Sequence, residues 1–192
     1  MKREIEVEEK YDVKDSELLI AHLNASDFLF EGEGSQTDIY FVDKKRKYLK
    51  DNTCLRIRLS SVSDKATIDY KGPTKDLADN VISKIETNVQ VDKKSIEHLA
   101  EMLDALGCPK YVSVEKVRKS WVRNLELGSF RVTVDSVKHA GVFVEIELTA
   151  PADTEEKLVR GIWEEQIKDM VGFLGNPVRL PYRDLVANSI GA

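Results

Sequence analysis

The chain has 192 residues, 33% of them charged, with 29 Lys and Arg against 34 Asp and Glu and a formal net charge of -5. That length suits a single domain, 1–192, with a sizeable core, and the acidic balance argues against a general nucleic-acid partner. The charges are mixed rather than blocked, which argues against disorder. No apolar stretch follows Met1 and no window approaches the ~18 apolar residues of a membrane helix, so a cytoplasmic protein with no membrane partner is expected.

The first segment, EIEVEEKY at 4–11, puts Glu4, Glu6, Glu8 and Lys10 on one face of a strand and Ile5, Val7, Glu9 and Tyr11 on the other. Three carboxylates on one side repel one another unless cations lie opposite, which leaves a solvated edge or a metal or ligand site as its two natural readings. Asp15 can cap a short helix through Asn24, whose Leu18, Leu19, Ala21 and Leu23 follow a helical stripe loosely. Strand-like runs come next at 36–43, 53–60, 65–72 and 81–91, separated by polar connections; the basic run at 44–47 reads as a solvated loop. Ile96, Leu99, Met102, Leu103 and Leu106 then form a 3.6-period helical stripe ended by Gly107. Three more strands are expected at 111–124, 129–137 and 141–148, with Gly128 marking the turn between the first two. A last helix is expected from an Asp153 cap, with Glu156 three residues on, through Leu158, Ile162, Ile167, Met170 and Val171 to Gly175. Cys54 and Cys108 match no metal or redox spacing and read as buried free thiols, and the scattered His22, His98 and His139 argue against zinc.

Each strand carries one apolar face and one charged face. Arg56 and Arg58 alternate with Leu55, Ile57 and Leu59, while Lys65, Asp69 and Lys71 alternate with Ala66, Ile68 and Tyr70. Lys84 and Glu86 alternate with Ile85, Lys116 shares a face with Arg118, Arg131 with Asp135, and Glu145 with Glu147. Eight antiparallel strands can close into a barrel, which removes exposed edges. An ordinary barrel would turn the apolar faces inward. An inverted one would pack them outward against the helices and line its interior with near-equal numbers of carboxylates and cations, each held ionised by its neighbours. The helical stripes need apolar sheet surface to cover, which favours the inverted form: an α+β fold, an eight-stranded antiparallel closed barrel with a charged interior and helices outside.

Clustered Arg and Lys suit a polyanion and clustered Glu and Asp suit a hard divalent cation, and a metal-bound triphosphate meets both requirements. Glu6-Val7-Glu8-Glu9-Lys10 resembles the ExExK signature of the CYTH family, the triphosphate tunnel metalloenzymes. The resemblance runs on through Asp38-Ile39-Tyr40-Phe41, Leu55-Arg56-Ile57-Arg58, Tyr70-Lys71-Gly72-Pro73, Val114-Glu115-Lys116-Val117-Arg118, Val134-Asp135 and Phe143-Val144-Glu145-Ile146-Glu147, in family order. It implies an eight-stranded tunnel in which Glu6, Glu8, Asp135, Glu145 and Glu147 hold Mg²⁺ or Mn²⁺. Lys10, Arg56, Arg58, Lys71 and Arg118 would bind the triphosphate, with Lys116 in support, and Glu6, Glu8 and Lys10 would be the catalytic signature. Lys84-Ile85-Glu86 stands where the family usually presents Arg-x-Glu, so Lys84 keeps the charge and loses the planar fork.

The strand Gln36-x-Asp38-x-Tyr40-Phe41 and the tail Pro181-Tyr182-Arg183-Asp184-Leu185 resemble the class IV adenylyl cyclase branch, with Pro181 in place of a serine. The resemblance therefore implies conversion of ATP, a nucleoside triphosphate, to cyclic AMP and pyrophosphate. Hydrolysis of tripolyphosphate or thiamine triphosphate is the alternative within the family, and a polyphosphate- or nucleotide-binding module without turnover is the alternative outside catalysis. A cyclase brings the ribose 3′-oxygen to the α-phosphate, whereas a hydrolase brings water to the terminal one. Family relatives are often dimers, which makes a homodimer one of the implied states.

Overall fold

The computed structural model describes residues 4–73, 75–76, 82–83, 86–151 and 153–192. The strands are β1 (Glu4–Val13), β2 (Leu29–Phe41), β3 (Cys54–Ser60), β4 (Lys65–Lys71), β5 (Lys75–Asp76), β6 (Ile82–Ser83), β7 (Glu86–Asp92), β8 (Lys110–Leu125), β9 (Gly128–Val137), β10 (Gly141–Pro151) and β11 (Leu174–Pro177). The helices are α1 (Ser16–Ala25), α2 (Lys47–Lys50), α3 (Ile96–Ala105), α4 (Glu156–Ile167) and α5 (Tyr182–Ile190). One sheet runs in the order β11-β1-β10-β9-β8-β2-β3-β4-β7, and β5 pairs with β6 apart from it. The pairings β1 with β10, β2 with β3, β3 with β4 and β4 with β7 are all antiparallel. The architecture is the expected antiparallel α+β arrangement. Its main sheet holds nine strands, the eight expected ones plus the short β11.

The chain divides into two compact units. The first comprises Met1–Glu33, Arg118–Ser136 and Gly141–Arg179. Here the apolar side of the strands, Val7 and Tyr11 of β1, Trp121 of β8, Phe130, Val132 and Val134 of β9, and Val144, Ile146 and Leu148 of β10, packs on Leu19 and Leu23 of α1 and on Val159, Ile162, Trp163 and Ile167 of α4. Leu19 and Leu23 are fully buried, each contributing about 1.5–3 kcal/mol. Asp15 starts α1 as expected, its carboxylate accepting from the N–H groups of Glu17 and Leu18 at 3.0 Å each. Trp121 Nε1 donates to Asn24 Oδ1 at 2.9 Å, which ties the helix end to the strand.

The second unit comprises Gly34–Val117, Val137–Ala140 and Leu180–Ala192. Phe41, Leu55, Ile57 and Ala66 pack against Ile96, Leu99, Ala100 and Leu103 of α3. The other faces of β3 and β4 carry Arg56, Arg58 and Asp69. In both units, then, the apolar strand faces meet helices and the charges take the opposite side, as the inverted arrangement requires.

Several expected boundaries move. Met102 and Leu106 are exposed, at 50% and 72%, because the helix covers only a narrow strip of sheet and needs only Ile96, Leu99, Ala100 and Leu103 for it. The Asp153 cap is not used: α4 begins at Glu156 without a side-chain cap bond and stops at Ile167, and Leu174–Pro177 instead pairs with β1. The expected 36–43 strand starts seven residues earlier, at Leu29, through a segment too rich in Glu and Gly to read as a strand. In the expected 81–91 strand, β7 begins at Glu86, and Lys84 lies outside the described residues. Helix α5 forms at 182–190 although that segment has no long apolar stripe to predict it. No helix among the described residues is long and apolar enough to cross a membrane.

Gly128 sits at φ +129, and a Cβ there would lie 1.9 Å from the Thr149 carbonyl oxygen. Gly128→Ala should therefore cost at least about 2 kcal/mol through combined strain and clash, read as a lower urea midpoint at unchanged m.

Candidate functional site

The register of β1 with β10 shows what faces the opening glutamates. Glu8 pairs with Glu147, Lys10 with Glu145, and Glu6 with Thr149, and residues opposite one another in an antiparallel ladder share a face. Five of the family-implied residues thus lie on one side of two strands. From β8, Arg118 donates Nε to Asp135 Oδ1 at 2.7 Å and Nη2 to the second oxygen of the same carboxylate, while Nη2 also meets Glu145. Asp135 has no exposed surface. A carboxylate so enclosed stays charged only with a cation held against it, and a two-pronged guanidinium meets that need. Glu147 accepts from Thr149 Oγ1 at 3.2 Å and lies 3.9 Å from Arg131, which pairs in turn with Glu31.

A second cluster is built by β2, β3 and β4. Asp38 pairs with Arg58, Tyr40 with Arg56, and Arg56 with Asp69 in the ladder. Arg58 grips Asp38 with Nε at 2.6 Å and Nη2 at 2.7 Å. Arg56 Nε donates to Asp69 at 2.8 Å, and its Nη1 reaches Asp38 at 3.4 Å. Burial works against the Asp38 charge, yet the hydrogen bonds of Arg58 and the charges of Arg56, Arg58 and Lys116 hold the carboxyl below its usual range. Burial likewise opposes the Arg56 charge, and the Asp38 carboxylate and the Asp69 hydrogen bond hold the guanidinium well above its usual value. Burial pushes the Tyr40 phenol and the Cys54 thiol upward, so both are neutral near pH 7. Lys116 is buried, with its Nζ 4.9 Å from the centre of the Tyr182 ring, and Lys71 is half-buried at the end of β4.

The CYTH domain family model matches residues 4–168. The chain belongs to the CYTH family. It is similar to Putative adenylate cyclase MJ0240 of Methanocaldococcus jannaschii, at 26% identity over 181 residues, covering 94% of this chain and 98% of that protein. The structure of PH1819 protein from Pyrococcus horikoshii aligns at TM-score 0.71 and 24% identity over 97% of this chain and 99% of that one. Putative adenylyl cyclase HpAC1 from Hippeastrum, described as having a dominant triphosphatase activity, aligns at TM-score 0.66 and 17% identity over 97% and 96%. These two likenesses are of fold.

Among the described residues of this CYTH chain, no three His, Cys, Asp or Glu side chains are gathered as a metal site. Arg118 holds Asp135 and Glu145 together, where the family resemblance gives it a phosphate. The donor set itself fits a hard divalent cation, being all oxygen, and a cation would relieve the like-charge pair of Glu8 and Glu147. Asp38 is a site residue to which no motif in the sequence assigns a role. It lies on one face with Gln36 and Tyr40, and only the pairing of β2 with β3 reveals that it holds both arginines.

Because the folded-state pKa of Asp38 is depressed, its contribution to stability is present above the usual aspartate value of ~3.9 and is lost as pH falls through the lower folded value. Wild-type stability should therefore drop on acidification below about pH 4, and Asp38→Asn should flatten that part of the profile while lowering stability at pH 7 by about 3–5 kcal/mol. Urea titrations between pH 2 and 7 measure both.

Proposed function

We propose that the chain is a divalent-metal-dependent enzyme acting on triphosphates, of class IV adenylyl cyclase type, converting ATP to cyclic AMP and pyrophosphate within one domain, 1–192. The observation that supports it most is the division of labour between the two charged faces. One strand face presents Glu6, Glu8, Glu145 and Glu147 with Asp135 close by through Arg118, and another presents Arg56 and Arg58 already oriented by a buried carboxylate. A simple anion binder gains nothing from the carboxylates, which weighs against a module without turnover.

Glu6, Glu8, Asp135, Glu145 and Glu147 would hold Mg²⁺ or Mn²⁺. Once bound, the cation supplies neutralisation of phosphate oxygen charge. Arg56 and Arg58 bind and orient the triphosphate. Their side chains are fixed by Asp38 and Asp69, so little rotamer freedom is lost when phosphate arrives. Lys10, Lys71 and Lys116 add point charges, Arg118 binds phosphate when released from its carboxylates, and Lys84 belongs to the same family-implied set. Triphosphate hydrolysis is the second candidate activity, favoured by the fold likeness to the Hippeastrum protein and its described triphosphatase activity.

Incubation with ATP, thiamine triphosphate and tripolyphosphate, each with Mg²⁺ or Mn²⁺, followed by product analysis, is the decisive experiment. Cyclic AMP and pyrophosphate from ATP are expected; phosphate release from all three would transfer the assignment to hydrolysis, and binding without product would overturn catalysis. EDTA should abolish turnover, as should Glu147→Gln. Arg58→Lys keeps the charge and loses the fork, and should lower kcat/KM roughly 10–100-fold, from a loss of about 1.5–3 kcal/mol.

A further inference from the structure

The beginning of α5 is fastened to the backbone just ahead of β3, the strand that carries Arg56 and Arg58. Arg183, 2% exposed, donates Nη1 to the Thr53 carbonyl oxygen at 2.9 Å, just ahead of β3, and pairs through Nε with Asp184 at 2.7 Å. Val186 and Ala187 are buried one turn on. This anchoring sets the adjacent Tyr182 ring, itself 6% exposed, beneath the Lys116 ammonium, 4.9 Å from Nζ to the ring centre. Lys116 is 5% exposed and contributes to the field that keeps Asp38 ionised. A buried ammonium is costly without compensation, and the negative face of an aromatic ring supplies part of it.

We propose that Tyr182 is a positioning residue for triphosphate binding: its ring face orients the Lys116 ammonium, so that docking of the C-terminal helix determines how well Lys116 serves the phosphates. The assignment rests on the triphosphate function proposed above. The work is done by the ring and not by the hydroxyl, so phenylalanine should substitute and an aliphatic side chain should not.

Calorimetric titration of the full chain with tripolyphosphate in the presence of Mn²⁺ tests this, alongside circular dichroism and thermal denaturation of each variant. Tyr182→Leu should weaken tripolyphosphate binding about tenfold and Tyr182→Phe should restore it to within about twofold of wild type. In a Lys116→Met background, Tyr182→Leu should have no further effect on affinity, because the ring then has no ammonium to hold. A merely structural role for the ring would weaken binding equally in both backgrounds, and that result would overturn the proposal. Wild-type affinity in Tyr182→Leu would overturn it as well, while leaving the triphosphate function standing. A wild-type protein that binds no tripolyphosphate would overturn the triphosphate function and, with it, the role of Tyr182. If Tyr182→Leu does not fold, the comparison passes to Tyr182→Phe and Tyr182→Met: equal affinity of these two would also overturn the assignment.

Discussion

A charge enclosed by protein must have its opposite held against it, and that constraint organises both charged faces of this chain. Asp135 and Asp38 have 0% and 1% of their surface exposed, and each is met by an arginine presenting two N–H groups to two oxygens. Desolvating a lone carboxylate costs several kcal/mol, and the paired geometry with its full set of hydrogen bonds offsets it. Lysine could supply the charge but not the fork. The strand period of two then does the rest: once Arg56 and Arg58 turn toward Asp38, Leu55 and Ile57 necessarily turn toward α3.

The same pairs that make the charged faces tolerable also fix the side chains that the proposed function assigns to a ligand. Arg58 uses the Nε edge of its guanidinium on Asp38, so under the proposed function an incoming phosphate would meet a side chain whose rotamer is already fixed. Arg118 is in a different position, since it bridges Asp135 and Glu145, two of the carboxylates assigned to a cation in the proposed function. A divalent ion and that guanidinium would compete for the same oxygens. The carboxylates of the β1 and β10 ladder face partly a cation, Lys10 opposite Glu145, and partly another carboxylate, Glu147 opposite Glu8. Facing carboxylates repel, and a site suited to a hard cation is one way a sheet turns that repulsion to use.

Family membership and detailed activity are separate matters here. The match over residues 4–168 fixes the first, whereas cyclisation and hydrolysis differ only in which phosphorus is attacked and by which oxygen. That difference lies in how a substrate is oriented, and the ion pairs that fix Arg56, Arg58 and Arg118 are compatible with either outcome.

The alternation of charge and apolar character along 4–11, 55–59, 65–71 and 141–148 was legible in the sequence, because side-chain direction in a strand depends only on position parity. The choice between faces was legible too, since helices with apolar stripes must be given apolar sheet to cover. Asp15 as a cap and Gly128 as a turn were equally local and equally plain. What the tertiary structure alone decided is register and partnership. Asp38 matters because it falls opposite Arg58, and Arg118 meets Asp135 and Glu145 because β8, β9 and β10 are neighbours, facts set by pairing between residues far apart in the chain. The ends of α4 and the existence of α5 were hidden for a related reason: after α4 the chain turns to pair Leu174–Pro177 with β1, and the nine-residue α5 starts without a capping side-chain bond and is held by long-range contacts such as Arg183 to Thr53 rather than by local propensity.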